Sequence, residues 1–176
     1  VLGCSTGYGL ASRIAAAFEY GAATIGVSFE KEGTEKKGGT PGWYNNLAFD
    51  NAAESAGIPS VTLNMDAFSN ECRQAVIAEA KKMGVTFDLV VYSLASPVRT
   101  DPVLKPFGKP YTGMTVDMMT GELSEMSAEP ANDEEAAETV KVMGGEDWQL
   151  WIEALLKEGL LSEGCKTVAY SYIGPA

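Results

Sequence analysis

The chain has 176 residues, 45% of them hydrophobic, and its 24 acidic and 13 basic side chains leave a formal net charge of −11. Length and composition suit one ordinary globular domain rather than a disordered chain. The acidity excludes a general nucleic-acid binder, which neutralises phosphates with Lys and Arg, and argues against docking on an anionic membrane.

In chain order, Val1-Leu2 reads as the end of a strand, followed by the loop Gly3-Cys4-Ser5-Thr6-Gly7-Tyr8-Gly9. Residues 10–20 are Ala-rich with Ile14 and Phe18 four apart, which predicts an amphipathic helix. Residues 23–29 form a short buried-strand run, and 30–42 are charged and Gly-rich, hence a loop. A helix is expected over 43–56, stopped by Gly57. A strand follows over 60–64, then a helix over 69–83 with Ser69 as N-cap and Gly84 after its end. Residues 87–92 read as a strong central strand. Strand and helix alternating at this spacing predict an α/β fold, a doubly wound parallel sheet of the Rossmann type.

The character then changes. Residues 93–130 hold five of the eight prolines, and 114–126 suggest a hairpin turning at Asp117-Met118-Met119-Thr120-Gly121. We expect a single dinucleotide-binding domain over 1–176, in which 96–131 are an excursion over the carboxyl edge of the sheet. Asn132-Asp133-Glu134-Glu135 starts a helix with a cap and acids placed favourably for the helix dipole, and Glu146-Asp147 begin another. Trp148 and Trp151, at i and i+3, read as core packing. A last strand is expected over 166–173, with Tyr170 and Tyr172 on one face.

Several residues could carry chemistry. Glycines between a strand and a helix allow a tight turn and bring backbone N–H groups to a pyrophosphate at the positive end of the helix. The loop lacks the Lys-Ser/Thr ending of a nucleoside-triphosphate P-loop. A glycine loop alone can also be a plain strand-to-helix turn. Glu30 closes the second strand, where a carboxylate hydrogen-bonds the adenosine ribose and repels a 2′-phosphate; the alternative is a solvated loop charge. Asp66 can contact adenine or simply form a turn. Ser93-Leu94-Ala95-Ser96-Pro97 leaves room beside the fourth strand or is a simple loop. A strand tyrosine such as Tyr170 or Tyr172 can polarise a carbonyl, though most strand tyrosines only pack. Cys4, at a helix start, would have a lowered thiol pKa, but lacks a histidine base for nucleophilic work. Histidine is absent altogether, which removes histidine-based triads and histidine-ligated metals; no metal is expected. Cys4, Cys72 and Cys165 show no CxxC spacing and fit a reducing, cytoplasmic location. No apolar run approaches the roughly 20 residues of a membrane span and no signal peptide is apparent, so no integral membrane contact is expected.

Together, Gly3 to Arg13, Gly42-Trp43-Tyr44-Asn45, Asp66-Ala67-Phe68-Ser69, Val91 to Pro97, Val142-Met143-Gly144-Gly145-Glu146-Asp147-Trp148 and Tyr170-Ser171-Tyr172-Ile173-Gly174 resemble the NADH-dependent trans-2-enoyl-CoA reductases, also called V-type enoyl-acyl-carrier-protein reductases. The resemblance runs through nearly the whole chain. It implies an enlarged short-chain dehydrogenase fold, NADH as cofactor, and an enoyl-CoA or enoyl-carrier-protein thioester as substrate. By matching positions it implies that Gly3, Cys4, Ser5, Thr6, Gly7 and Tyr8 hold pyrophosphate and ribose. Phe29 and Glu30 would bind adenosine and exclude NADPH, Asp66 and Ala67 would contact adenine, Leu94 and Ala95 would line the nicotinamide side, and Tyr172 would contact the substrate carbonyl. The family's proton-donor tyrosine and its lysine partner are expected beyond Ala176, so no catalytic residue is expected within these residues. The family also carries additional residues between Val103 and Leu104. A monomer or weak homodimer is expected. The competing readings are a non-catalytic NAD(H)-binding regulatory module and a short-chain carbonyl reductase, the latter lacking its Tyr-x-x-x-Lys here.

Overall fold

A computed structural model describes residues 1–94, 96, 99–100, 107–108, 114–116, 123–125 and 132–170. Strand β1 (Thr24–Ser28) pairs in parallel with β2 (Ser60–Asn64), and β3 (Phe87–Tyr92) pairs in parallel with β8 (Leu161–Ala169). Leu2 joins the two pairs, with parallel bridges to Val27 and to Tyr92. The order is therefore β2–β1–Leu2–β3–β8, a doubly wound arrangement whose direction of winding reverses beside Leu2.

Period-two alternation gives this sheet two unlike faces. Leu2, Ile25, Val27, Val90 and Tyr92 face an apolar core made with Cys72, Val76, Ile77 and Ala80 of α3 (Asn70–Met83) and Trp151 and Leu155 of α5 (Glu146–Lys157). The other face of β1 presents Thr24, Gly26 and Ser28 toward α1 (Gly7–Ile14) and α2 (Pro41–Ser55). Both tryptophans pack as their spacing suggests: Trp151 is 1% exposed and donates to the Ala67 carbonyl at 3.0 Å, and half-buried Trp148 donates to Thr167 Oγ1 at 2.8 Å.

The helix signals mostly hold. Ser69 caps α3 by accepting from the Cys72 N–H, and Gly84 ends it at φ 66° in the left-handed region. Three boundaries differ from the sequence expectation. Helix α1 starts at Gly7, because the glycines pass directly into the first turn, and it ends in a π-helical turn over Ala15–Glu19. Helix α2 starts at Pro41, a residue whose fixed φ suits the first helical position. Strand β8 starts at Leu161 and stops at Ala169, so Tyr170 lies past its end. Its polar first half hides the start, and the pairing shifts register between Phe87 and Leu89, near Gly164 at φ 78°.

Short antiparallel pairs join β4 (Arg99–Thr100) to β5 (Phe107–Gly108) and β6 (Met114–Val116) to β7 (Leu123–Glu125). The second pair is the expected hairpin; its turn lies outside the described residues. Helix α4 (Asp133–Met143) follows and leads into α5. Among the described residues no helix is long and apolar enough to cross a membrane.

Candidate functional site

The glycine loop leaves the sheet where the winding reverses, at the carboxyl ends of the strands, the place at which such sheets bind ligands. Gly3 sits at φ 82°, and a Cβ there would lie 1.9 Å from the Ser93 carbonyl oxygen. A side chain at Gly3 therefore has neither the backbone conformation nor the space it needs. The loop and the exit of β3 are thus in direct contact, and the Ser93 N–H donates back to the Leu2 carbonyl at 2.8 Å.

The N–H groups of Gly3 and Cys4 both donate to the Val27 carbonyl, at 2.9 and 3.0 Å. They stitch the loop to β1, so the free donors begin further along, where α1 starts. Thr6 stands at the N-cap of α1, with extended backbone, yet its side chain makes no capping bond. The first turn, at Gly7, Tyr8 and Gly9, contains neither an acidic residue nor a β-branched one. An uncapped helix start of this kind favours an anion through its N–H groups and dipole. Tyr8 is exposed, and its ring lies 5.8 Å from that of Tyr170, whose hydroxyl is 2.7 Å from Ser12 Oγ.

Cys4 does not face this site. Its side chain is fully buried, 3.7 Å from both Asn46 Oδ1 and Arg13 Nη1. Burial pushes its thiol pKa up, against the opposing pull of the Arg13 charge. The lowered pKa considered for a thiol at a helix start is thus reversed, because the side chain points into the protein rather than at the helix axis.

Glu30 is where the elements converge. Ser5 Oγ donates to Glu30 Oε1 at 2.5 Å, and Thr40 Oγ1 donates to Oε2 at 2.5 Å. The Glu30 backbone is fixed as well: its N–H donates to Asn64 Oδ1 at 2.7 Å, while Asn64 Nδ2 donates to its carbonyl at 2.9 Å. Helix α2 completes the support, with Asn45 Nδ2 donating to the Ser5 carbonyl at 2.9 Å and Asn46 Nδ2 to Ser28 Oγ at 2.8 Å. Phe29, beside Glu30, is 79% exposed, a large apolar ring open to whatever lies over the edge.

On the next strand end, Asp66 Oδ1 accepts from the Phe68 N–H at 3.0 Å, and the Asp66 carbonyl accepts from Ser69. The turn-forming role is therefore present, and it leaves the second carboxylate oxygen outside that bond. Ala67 is buried in the core and its carbonyl receives Trp151. Leu94 is half-buried, with a methyl 3.2 Å from where a Gly3 Cβ would be. Ala95 and Tyr172 lie outside the described residues. Among the described residues no cluster of acids and cysteines is arranged for a metal ion.

The structure also brings in residues that spacing alone did not point to: Thr40, Asn45, Asn46 and Asn64. Their signal was faint: polar side chains at the start of α2 and the end of β2, which caps and loops carry in any case.

Comparison with known proteins agrees with this geometry. A family model described as the trans-2-enoyl-CoA reductase catalytic region matches residues 37–176, and one described as the NAD(P)H binding domain of trans-2-enoyl-CoA reductase matches residues 1–35. The chain belongs to the trans-2-enoyl-CoA reductase family. A relative from Treponema denticola, named trans-2-enoyl-CoA reductase [NADH], is 73% identical over 99% of this chain and 46% of its own length. A relative from Tolumonas auensis, named enoyl-[acyl-carrier-protein] reductase [NADH], is 59% identical over the same shares. The alignment with a Cytophaga hutchinsonii relative, 55% identical, runs over 184 positions for a chain of 176, so that relative carries residues that this chain lacks. The crystal structure of the Treponema denticola trans-2-enoyl-CoA reductase in complex with NAD superposes with a TM-score of 0.88 over 99% of this chain and 46% of that one. The Clostridium acetobutulicum reductase in complex with NADH gives 0.84 at 43% identity, again with 99% and 46% covered. The chain thus spans about half the length of the family members it matches.

Proposed function

We propose that the whole protein reduces the carbon–carbon double bond of trans-2-enoyl thioesters with NADH, and that this chain supplies the NADH site. The observation that carries the reading is the Glu30 carboxylate, held beside the glycine loop by Ser5 and beside α2 by Thr40. A carboxylate there accepts from the ribose hydroxyls of adenosine and repels the extra phosphate of NADPH. The uncapped first turn of α1 receives the pyrophosphate through backbone N–H groups, without a cationic side chain. The residues present therefore fit the cofactor.

When bound, NADH supplies the hydride for the β-carbon of the enoyl thioester. The chain's own residues orient and select. Ser5, Thr6, Gly7 and Tyr8 border the phosphates, Gly3 and Cys4 anchor the loop to β1, and Phe29 and Glu30 frame the adenosine. Asp66 and Ala67 stand at the adenine edge, with Leu94 and Ala95 on the nicotinamide side. Tyr172 meets the thioester carbonyl, where negative charge develops as the hydride arrives. The proton for the α-carbon comes from a tyrosine–lysine pair outside this chain. The same reading places the protein in the cytoplasm as a monomer or weak homodimer.

The test is NADH oxidation by the intact protein with short and medium trans-2-enoyl-CoA and carrier-protein substrates. We expect enoyl-dependent oxidation of NADH and little with NADPH. Tight NADH binding with no turnover on any enoyl thioester would replace the reductase by a non-catalytic NAD(H)-binding module.

A further inference from the structure

We propose that Thr40 is a positioning residue for cofactor choice: its hydroxyl holds the Glu30 carboxylate toward the glycine loop, in the space that Gly42 leaves open. The proposal rests on the NADH reading above and adds the groups that make the Glu30 charge directional.

Thr40 stands at the N-cap of α2, where a hydroxyl ordinarily accepts from a helix N–H. It makes no such bond. Its oxygen instead accepts from the Lys31 N–H at 3.1 Å, and its proton goes to Glu30 Oε2 at 2.5 Å. The Thr40 N–H donates to the Lys31 carbonyl at 3.0 Å, so Lys31 and Thr40 pinch the ends of the intervening loop together. The hydroxyl is thus held in place, and of its two acceptors Glu30 Oε2 is much nearer than the Lys31 carbonyl, at 3.3 Å. A glutamate carries three rotatable bonds, and an unrestrained carboxylate at a loop end would sample many positions. The hydroxyls of Thr40 and Ser5 hold one carboxylate oxygen each. That leaves the remaining lone pairs of both oxygens for a ribose diol.

Gly42 supplies the room. A Cβ at that position would lie 2.1 Å from Glu30 Oε1 and 2.4 Å from its carboxyl carbon. Gly42 has no left-handed φ to explain it, so the glycine is there for close approach rather than for backbone conformation. A methyl at residue 42 evicts the carboxylate from the clamp without touching its charge.

The experiment uses the whole protein and compares kcat/KM for NADH and NADPH, together with NADH and NADPH dissociation constants, in the parent, Thr40→Ser, Thr40→Val, Gly42→Ala and Glu30→Ala. Thr40→Val keeps the volume and removes the hydroxyl; it should narrow the NADH-over-NADPH preference about tenfold, while Thr40→Ser restores it. Gly42→Ala should narrow it similarly, and serves in its place where Thr40→Val does not fold. The unfolding midpoint reports any general loss of structure, which a merely structural threonine would show without a change in cofactor ratio. A parental ratio in Thr40→Val and Gly42→Ala, with the ratio collapsed in Glu30→Ala, overturns the clamp and leaves the NADH site standing. A parental ratio in Glu30→Ala as well removes Glu30 itself from cofactor choice, and a parent that binds no NADH overturns the NADH reading.

Discussion

The two faces of the sheet each bury an arginine, and they do so in opposite ways. On the α1–α2 face, Arg13 is fully buried among neutral acceptors: Thr24 Oγ1 at 3.2 Å, Thr62 Oγ1 at 2.8 Å and the Val61 carbonyl at 3.0 Å. Its guanidinium also lies 4.0 Å over the Phe49 ring, and its nearest carboxylate, Asp50, is 3.7 Å away and 38% exposed. On the α3–α5 face, Arg73 pairs directly with Asp147, which is 1% exposed and also accepts from the Tyr92 hydroxyl at 2.9 Å. Arg73 Nη1 further donates to the Phe68 carbonyl at 3.1 Å, so this pair ties the turn after β2 to the end of β3. One face solvates a charge with dipoles, and the other with a counter-charge. The first tolerates the loss of any one acceptor; the second leaves a buried charge without its counter-charge when either partner goes.

That contrast can be broken at its stronger end first. Asp147→Ala strands the Arg73 guanidinium in the apolar core, and we expect a loss of about 3–5 kcal/mol in urea unfolding. Asp50→Asn on the other face should cost far less, because its carboxylate is partly solvated. A similar loss in both variants would show that the two arginines are held alike.

A smaller effect is expected from crowding the dipole-lined face. A Cβ at Gly26 would fall 2.5 Å from Arg13 Nη1 and 2.7 Å from Cys4 Sγ. Gly26→Ala should therefore destabilise by about 1–3 kcal/mol through overpacking, with the thermal midpoint lowered. An unchanged midpoint would mean that Arg13 can shift aside.

The smallest effect concerns the thiols, one on each face. Burial raises Cys72 to a pKa of about 11 from its ordinary value of 9.0, and raises Cys4 as well, where the Arg13 charge opposes it. As pH rises through 9 toward 11, the unfolded chain releases the Cys72 proton while the native state keeps it. The stability contributed by the neutral buried thiol is then full below pH 9 and lost as pH passes 11. Cys72→Ala should flatten this alkaline decline more than Cys4→Ala. Equal slopes in the parent and Cys72→Ala would remove Cys72 from the account.

Much of the frame was legible in the residues, because helix and strand periods, Ser69 and Gly84 as caps, and the glycines before α1 are local signals. Glu30 was legible for the same reason: it follows an apolar run at the distance one crossover helix imposes. Its clamp was not, since Thr40 and Gly42 meet it only after the loop folds back. Arg13 carried no signal of burial in its own helix; the clue was the small polar set Thr24, Gly26, Ser28 on one side of β1, which marks a face built around something polar. Asp147 read only as part of a helix start, and tertiary pairing with Arg73 turned it inward. The start of β8 was hidden because Ser162, Glu163 and Gly164 carry no strand pattern until they pair with β3.

The π-helical turn at Ala15–Glu19 has a consequence for how this helix tolerates changes of length. A wide turn takes up one more residue than an α turn between the same two ends. Removing one alanine from the run Ala15-Ala16-Ala17 would let the turn relax to α geometry. Arg13 upstream and Tyr20 downstream would then keep their places. A deletion of one residue anywhere in Gly7–Ile14 would instead rotate everything after it by about 100°. The helix that opens onto the glycine loop thus carries a single spare residue, and at that one point its reading frame can slip without disturbing the site.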